Sequence, residues 1–163
     1  IDDNSSCKFR KNSNNQFEIK QGVKITKKKI NYEKNFWKIL LAHDGYLKRY
    51  NLYYEREIEF YPENNKLIGC DKIKGVKMLP NLKFDIRFHL DPSAKIMKTQ
   101  NNKSIFIEYE TEGWKFSCED YHINIDNGLY FGKKNSYIEN QNIFISGINN
   151  EKEQVIKWEI SKL

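Results

Sequence analysis

Apolar residues at every second position, Phe84, Ile86, Phe88 and Leu90, with Asp85, Arg87 and His89 between them, leave this chain few ways to fold. A period of two is the period of a β-strand, so the four apolar side chains share one face and the polar row takes the other. The stretch Tyr53–Tyr61 repeats the pattern. Glu55, Glu57 and Glu59 line one face, and Tyr54, Arg56, Ile58 and Phe60 line the opposite one. Strand signals of this kind dominate from Trp37 onward, and no helical stretch competes with them.

Turn residues between the strands predict the pairing. Asn64-Asn65 suits a two-residue type I′ turn, because Asn tolerates the positive φ needed at both central positions. That register sets Glu63 against Lys66, Glu57 against Lys72 and Asp71 against Ile58, and lets Phe60 cover Gly69. Around Asn101-Asn102, Thr99 faces Ser104, Ile96 faces Ile107 and Lys95 faces Glu108. Gly113 is expected to turn the chain into Trp114, Phe116 and Cys118. Asn127-Gly128 is the strongest single hairpin signal. A last hairpin at Asn149-Asn150 pairs Phe144 with Val155 and Ile143 with Ile156, ending on Trp158 and Ile160. The first 35 residues are expected to hold two short strands, Phe17–Ile19 and Gly22–Thr26.

Short strands at regular spacing, joined by tight turns, predict an all-β fold, an antiparallel β-sandwich built from hairpins and meanders. Parallel α/β architecture is disfavoured, and no fixed-period repeat points to a propeller or solenoid. One domain over 1–163 is expected, since a chain of this length buries a core without disulfides or metal. Cys7, Cys70 and Cys118 are odd in number and widely spaced, which excludes a zinc framework or disulfide scaffold. The longest apolar run, Ile39–Ala42, falls far short of the roughly 20 residues of a membrane span. The chain opens on Ile1 and polar residues rather than Met, and the expectation is a fragment of a longer protein.

Net charge is +6, from 28 basic and 22 acidic residues. Only Arg10, Arg49, Arg56 and Arg87 are Arg, Asn and Ile are abundant, and Ala occurs only at Ala42 and Ala94. That is the mark of AT-rich codons, so the charge reads first as Lys spread over a solvated surface. It permits an anionic partner without demanding one. Lys24 and Lys27-Lys28-Lys29 read as a loop or exposed strand. No RNA-binding or cold-shock motif accompanies the charge, so no nucleic-acid partner is expected.

Candidate chemistry is sparse. His43, His89 and His122 sit on separate expected strands without metal-ligand spacing, so no metal site is assigned. In Ala42-His43-Asp44-Gly45-Tyr46 two readings stand: a plain turn after a hydrogen-bonded strand-end His, or a His and a Tyr at a sheet rim contacting a ligand. Arg56 lies on an apolar face, where an unpaired charge is costly. Asp71, diagonal to it, makes a structural ion pair the leading account, and the alternative is a cleft Arg gripping a carboxylate or sulfate. The row Asp85, Arg87, His89 is either a solvated face or the lining of a groove. No G-x-S-x-G, Walker or dinucleotide motif is present, and no catalytic residue is assigned.

Taken in order, these stretches resemble the C-terminal part of heparinase II/III-like proteins, a bacterial polysaccharide-lyase superfamily. The resemblance rests on His43-Asp44-Gly45-Tyr46, on Tyr50-Asn51-Leu52 followed by Arg56, and on Leu67-Ile68-Gly69-Cys70-Asp71. It continues through Phe84–Pro92, Gly113-Trp114-Lys115-Phe116, Leu129-Tyr130-Phe131-Gly132 and Trp158-Glu159-Ile160. The chain departs from the pattern at Asn51, where Gly is common, at Tyr54, where His is common, and at Asp91, where a second His often precedes the Pro.

The resemblance implies a C-terminal sandwich packed on an N-terminal α/α toroid of the same polypeptide, with anionic polysaccharide bound between them. It implies β-elimination on uronic-acid chains, with catalytic groups and any divalent metal outside this chain and no cofactor within it. His43, Tyr46, Arg87 and His89 are then the residues expected to meet sugar or toroid. Family habit places such proteins in the periplasm or cell envelope. A stand-alone, non-catalytic carbohydrate-binding module is the second reading.

Overall fold

Each alternating stretch forms a strand in the structure, a computed structural model that describes residues 1–77, 81–133 and 136–163. The elements run β1 (Lys8–Lys11), β2 (Phe17–Gln21), β3 (Ile25–Glu33), β4 (Phe36–His43), α1 (Leu47–Tyr50), β5 (Leu52–Tyr61), β6 (Lys66–Gly75) and β7 (Leu82–His89). They continue with β8 (Lys95–Lys98), β9 (Ser104–Tyr109), β10 (Glu112–Ser117), β11 (Ile123–Lys133), β12 (Ser136–Asn149) and β13 (Glu153–Lys162). Eight strands make one antiparallel sheet in the order β3-β4-β5-β6-β13-β10-β9-β8. A three-stranded sheet, β11-β12-β7, faces it, and β1-β2 form a separate ribbon.

The core lies between the two sheets. Ile73, Phe116, Ile156 and Trp158 come from the large sheet; Phe84, Ile86, Ile123, Ile143 and Ile145 come from the small one. Each such side chain contributes about 1.5–3 kcal/mol by leaving water. Along β7 the burial alternates as expected, with Leu82, Phe84 and Ile86 buried and Lys83, Asp85 and Arg87 exposed. The architecture is the expected all-β sandwich, and no helix is long and apolar enough to cross a membrane.

Several pairings differ from expectation. The β5–β6 loop spans four residues: Pro62 starts a 3-10 turn to Asn64, and only Asn65 adopts a left-handed φ, 45°. Tyr61 therefore faces Lys66, Glu57 faces Cys70, and Arg56 stands directly opposite Asp71. The register has slid by two residues, which alters the partners but leaves every side chain on its expected face. Gly69 is covered by Trp158 of β13 rather than by Phe60. The β8–β9 register is as expected, with Lys95 opposite Glu108 and Ile96 opposite Ile107. The following turn falls at Glu110-Thr111, where Glu110 has φ 54°, while Gly113 lies inside β10.

Asn127-Gly128 forms no turn. Both residues lie within β11, opposite Gln141 and Asn140. Gly is needed there for space, since a Cβ would come 1.9 Å from Asn142 Nδ2. Asn149-Asn150 is likewise no hairpin. The chain crosses between layers there, so β12 pairs with β7 and β11 while β13 pairs with β6 and β10. Near the start, β1 was unmarked by any turn signal, and the expected strand at Gly22–Thr26 begins instead at Ile25 and runs through the Lys27-Lys28-Lys29 block. The short α1 was also unexpected. It ends because Asn51 turns left-handed at φ 55°, a conformation that Asn tolerates best after Gly.

Candidate functional site: the hollow between the layers

β4 delivers His43 to the rim of the large sheet, Asp44-Gly45 turns the chain, and Tyr46 follows just ahead of α1. The return strand places Tyr54 opposite His43 and Arg56 opposite Leu41. From the other layer, β7 brings up Asp85 and Arg87. Six residues, His43, Tyr46, Tyr54, Arg56, Asp85 and Arg87, line a hollow of about 200 Å³, the last two along the edge of β7 with their side chains on its exposed face.

Its floor is an ion pair. Asp71, fully buried, accepts from Arg56 Nε (2.6 Å) and Nη2 (3.1 Å), from Tyr54 Oη (2.5 Å) and from Trp158 Nε1 (2.7 Å). The guanidinium lies over Phe88 at 5.2 Å and Trp158 at 5.7 Å, so aromatic faces supplement the carboxylate. Burial works against the Arg56 charge, and the bonds to Asp71 outweigh it and hold its pKa above the usual value. Burial, then the Asp71 charge, push the Tyr54 phenol far up, so it stays a donor.

The reading of the His43 stretch as a turn after a hydrogen-bonded strand-end His has its structural counterpart. Asp44 closes the turn: its carboxylate accepts from Lys24 N–H at 2.8 Å, and its own N–H donates to Lys24 O at 3.1 Å. His43 Nδ1 accepts from Gly45 N–H at 3.1 Å, which puts the proton of the neutral ring on Nε2. The ring stands 5.4 Å from Tyr54 and 5.9 Å from Tyr46. Burial raises the Tyr46 phenol too.

Burial lowers the His43 pKa below 6.5, with Asp44 restoring part of it. The folded state therefore binds this proton less readily than the unfolded state, so stability is present above pH 6.5 and falls as pH drops toward the folded value. Wild-type Tm should decline below pH 6.5 more steeply than that of His43→Gln; parallel Tm-against-pH curves would overturn this.

Arg87 donates to Asp126 on β11 at 3.1 Å and lies over Phe144 at 5.1 Å; Asp85 accepts from Ser146 Oγ at 2.5 Å. His89 is further along the outer face, its Nδ1 3.1 Å from Asn142 Oδ1, and does not line the hollow. Thus His43, Tyr46 and Arg87 gather, and His89 stands apart. Sequence reasoning named Asp85 and Arg87 as possible groove lining, but did not single out Tyr54 as lining, nor Asp126 and Asn142 as partners. Tyr54 was findable once β4 and β5 were paired; Arg87–Asp126, 39 positions apart, left no local signal. Among the described residues no group of three or more His, Cys, Asp or Glu stands ready to hold a metal ion.

A family model described as heparinase II/III-like, C-terminal, matches residues 1–159. No curated protein sequence matches the chain. Among solved structures, the heparan sulfate lyase HepC from Pedobacter heparinus is similar, with TM-score 0.71 at 10% identity, over 87% of this chain and 22% of that one. A heparinase III gene product is similar with TM-score 0.68 at 13% identity, over 88% of this chain and 22% of that one. The chain thus spans under a quarter of the length of these lyases, and at such identities the likeness speaks for the fold. With all but the last few residues matched by the family model, the chain belongs to the heparinase II/III-like family, matching its C-terminal domain.

Proposed function

We propose that this chain is the sandwich wall of a lyase that cleaves uronic-acid-containing anionic polysaccharide by β-elimination, and that it is catalytically silent alone. In the parent polypeptide it packs on an N-terminal α/α toroid, which supplies the catalytic groups. The observation that carries the reading is the family match over 1–159, joined to a hollow lined by His43, Tyr46 and Arg87. β-Elimination needs a base for the proton α to the carboxylate, neutralisation of the charge that develops there, and an acid for the departing oxygen. Among the rim groups, Arg87 suits binding and orientation of carboxylate or sulfate groups, while His43 Nε2–H and the protonated Tyr46 phenol are donors turned toward the rest of the parent polypeptide. The family resemblance also implies a divalent metal in the parent; the described residues here offer no ligand set for one, and no step is assigned to it in this chain.

Incubation of the isolated chain with heparan-sulfate-like or alginate-like polymer should release no ultraviolet-absorbing unsaturated sugar, whereas the parent polypeptide should. Turnover by the isolated chain would refute its silence, and an inert parent would refute the lyase reading.

A further inference from the structure

The two layers are unequal, eight strands against three. On the overhang, Ile30 (61% exposed), Tyr32 (79%) and Leu41 (40%) lie open to solvent. They share a face with Ile58 and Arg56 through the pairs Ile30–Ile39–Ile58 and Leu41–Arg56, so they belong to the layer that elsewhere covers the core. The small sheet stops short of them at β7, whose free edge looks into the hollow beside His43 and Tyr46. The hollow of about 200 Å³ there is open to solvent along this edge, with space for further chain between the two layers.

The backbone of that edge is already partly engaged. Lys83 C=O accepts from Asp2 N–H at 2.9 Å, and Lys83 N–H donates to Asp2 Oδ1 at 2.9 Å. Alternate residues of a strand point their backbone groups to the same side, so Asp85 and Arg87 present N–H and C=O to this edge as Lys83 does. Among the described residues no backbone group bonds to them there. Ile1 lines the hollow with Phe84 and Asp85 and opens the turn that Asn4 N–H closes on Ile1 C=O, so a chain leading into Ile1 along this edge would run antiparallel to β7.

We propose that the free edge of β7 accepts one more antiparallel strand, contributed by the parent polypeptide and continuous with Ile1. The proposal rests on the reading of this chain as part of a longer lyase. Extending the Asp2–Lys83 pairing, the residue just ahead of Ile1 faces Asp85, and the third ahead faces Arg87. The second ahead points inward with Ile86 and fills the hollow beside His43 and Arg56. The added strand carries the small sheet out over Leu41 and the overhang. It also makes the hollow an internal joint, leaving the outward rim at Asp85 and Arg87 as its exposed part. A second copy of this chain fits less well, because Asp2 occupies the Lys83 end of the edge.

Hydrogen–deuterium exchange read at single residues tests this on two proteins, the 163-residue chain and the parent polypeptide with its upstream codons. In the short chain the Asp85 and Arg87 amides should exchange freely while Phe84 and Ile86, paired with β12, are protected. In the parent, Asp85 and Arg87 should slow by about 100-fold or more. Free exchange of both amides in an active parent lyase overturns the strand and spares the lyase reading. Slow exchange in a parent without lyase activity does the reverse. A gene without upstream coding sequence overturns both, and concentration-dependent protection in a dimer of the short chain assigns the edge to a second copy instead.

Discussion

Asp71→Ala lowers the unfolding free energy by about 3–5 kcal/mol, the usual cost of breaking a buried charged network from one side. The substitution removes a carboxylate that accepts four hydrogen bonds. It leaves the Arg56 guanidinium, the Tyr54 hydroxyl and the Trp158 N–H facing one another without an acceptor, and each unpaired buried group costs about 1–3 kcal/mol. For a chain of this size the loss corresponds to a fall in Tm of roughly 10 °C, read by calorimetry or by urea unfolding. Asp71→Asn separates charge from shape: the amide keeps the volume and one acceptor, so it should restore part of the loss, about 1–2 kcal/mol. Arg56→Met should destabilise less than Asp71→Ala, by about 2 kcal/mol, because Arg56 is 30% exposed and water reaches its far side. A wild-type Tm for Arg56→Met would sink the structural role of the pair.

Gly69→Ala should cost about 3 kcal/mol or more, a large effect for one methyl group. Gly69 faces Trp158 across β6 and β13, and an added Cβ would lie 2.0 Å from Trp158 Cε2 and Cζ2. The indole lies flat on the glycine, so no small rotation relieves the overlap. It must lift, and lifting breaks its bond to Asp71 and its packing on Phe88 and Phe116, whose ring centroids stand 4.8 and 6.0 Å away. The variant should therefore lose stability and shift its tryptophan emission to the red. A wild-type Tm with unshifted emission would show that the sheet can open between β6 and β13 without loss.

These two effects meet at one point, and they show how unevenly the site could be read in advance. The Arg56–Asp71 pair was legible, although its register was two residues out, because a charge on an apolar face demands a partner and the nearest acid on the neighbouring strand supplies it. Trp158 was not. It reaches Asp71 from β13, 87 residues along the chain, and nothing in the intervening sequence records that β13 lies beside β6. His43, Tyr46 and Arg87 were each marked by their setting, a strand end, a turn and an alternating row. That the first two meet the third across a gap between layers, while His89 of the same row does not, depends on where β7 ends the small sheet.

Alternation along each strand determined which side chains face inward, because a period of two holds whatever strand lies next to it. It also determined the all-β class, since few stretches of this chain sustain a helical period. Turn residues were weaker guides. Asn127-Gly128 carries the strongest turn signal, yet it lies within β11, where Gly leaves room for Asn142. Asn149-Asn150 carries the chain from one sheet to the other. A turn preference is worth only a kilocalorie or so, and the burial of Ile143, Ile145 and Ile156 on opposite sides of one core outweighs it. Only the tertiary structure decided which strands are neighbours, how the eight-stranded layer overhangs the three-stranded one, and thereby where the hollow and the open edge of β7 lie.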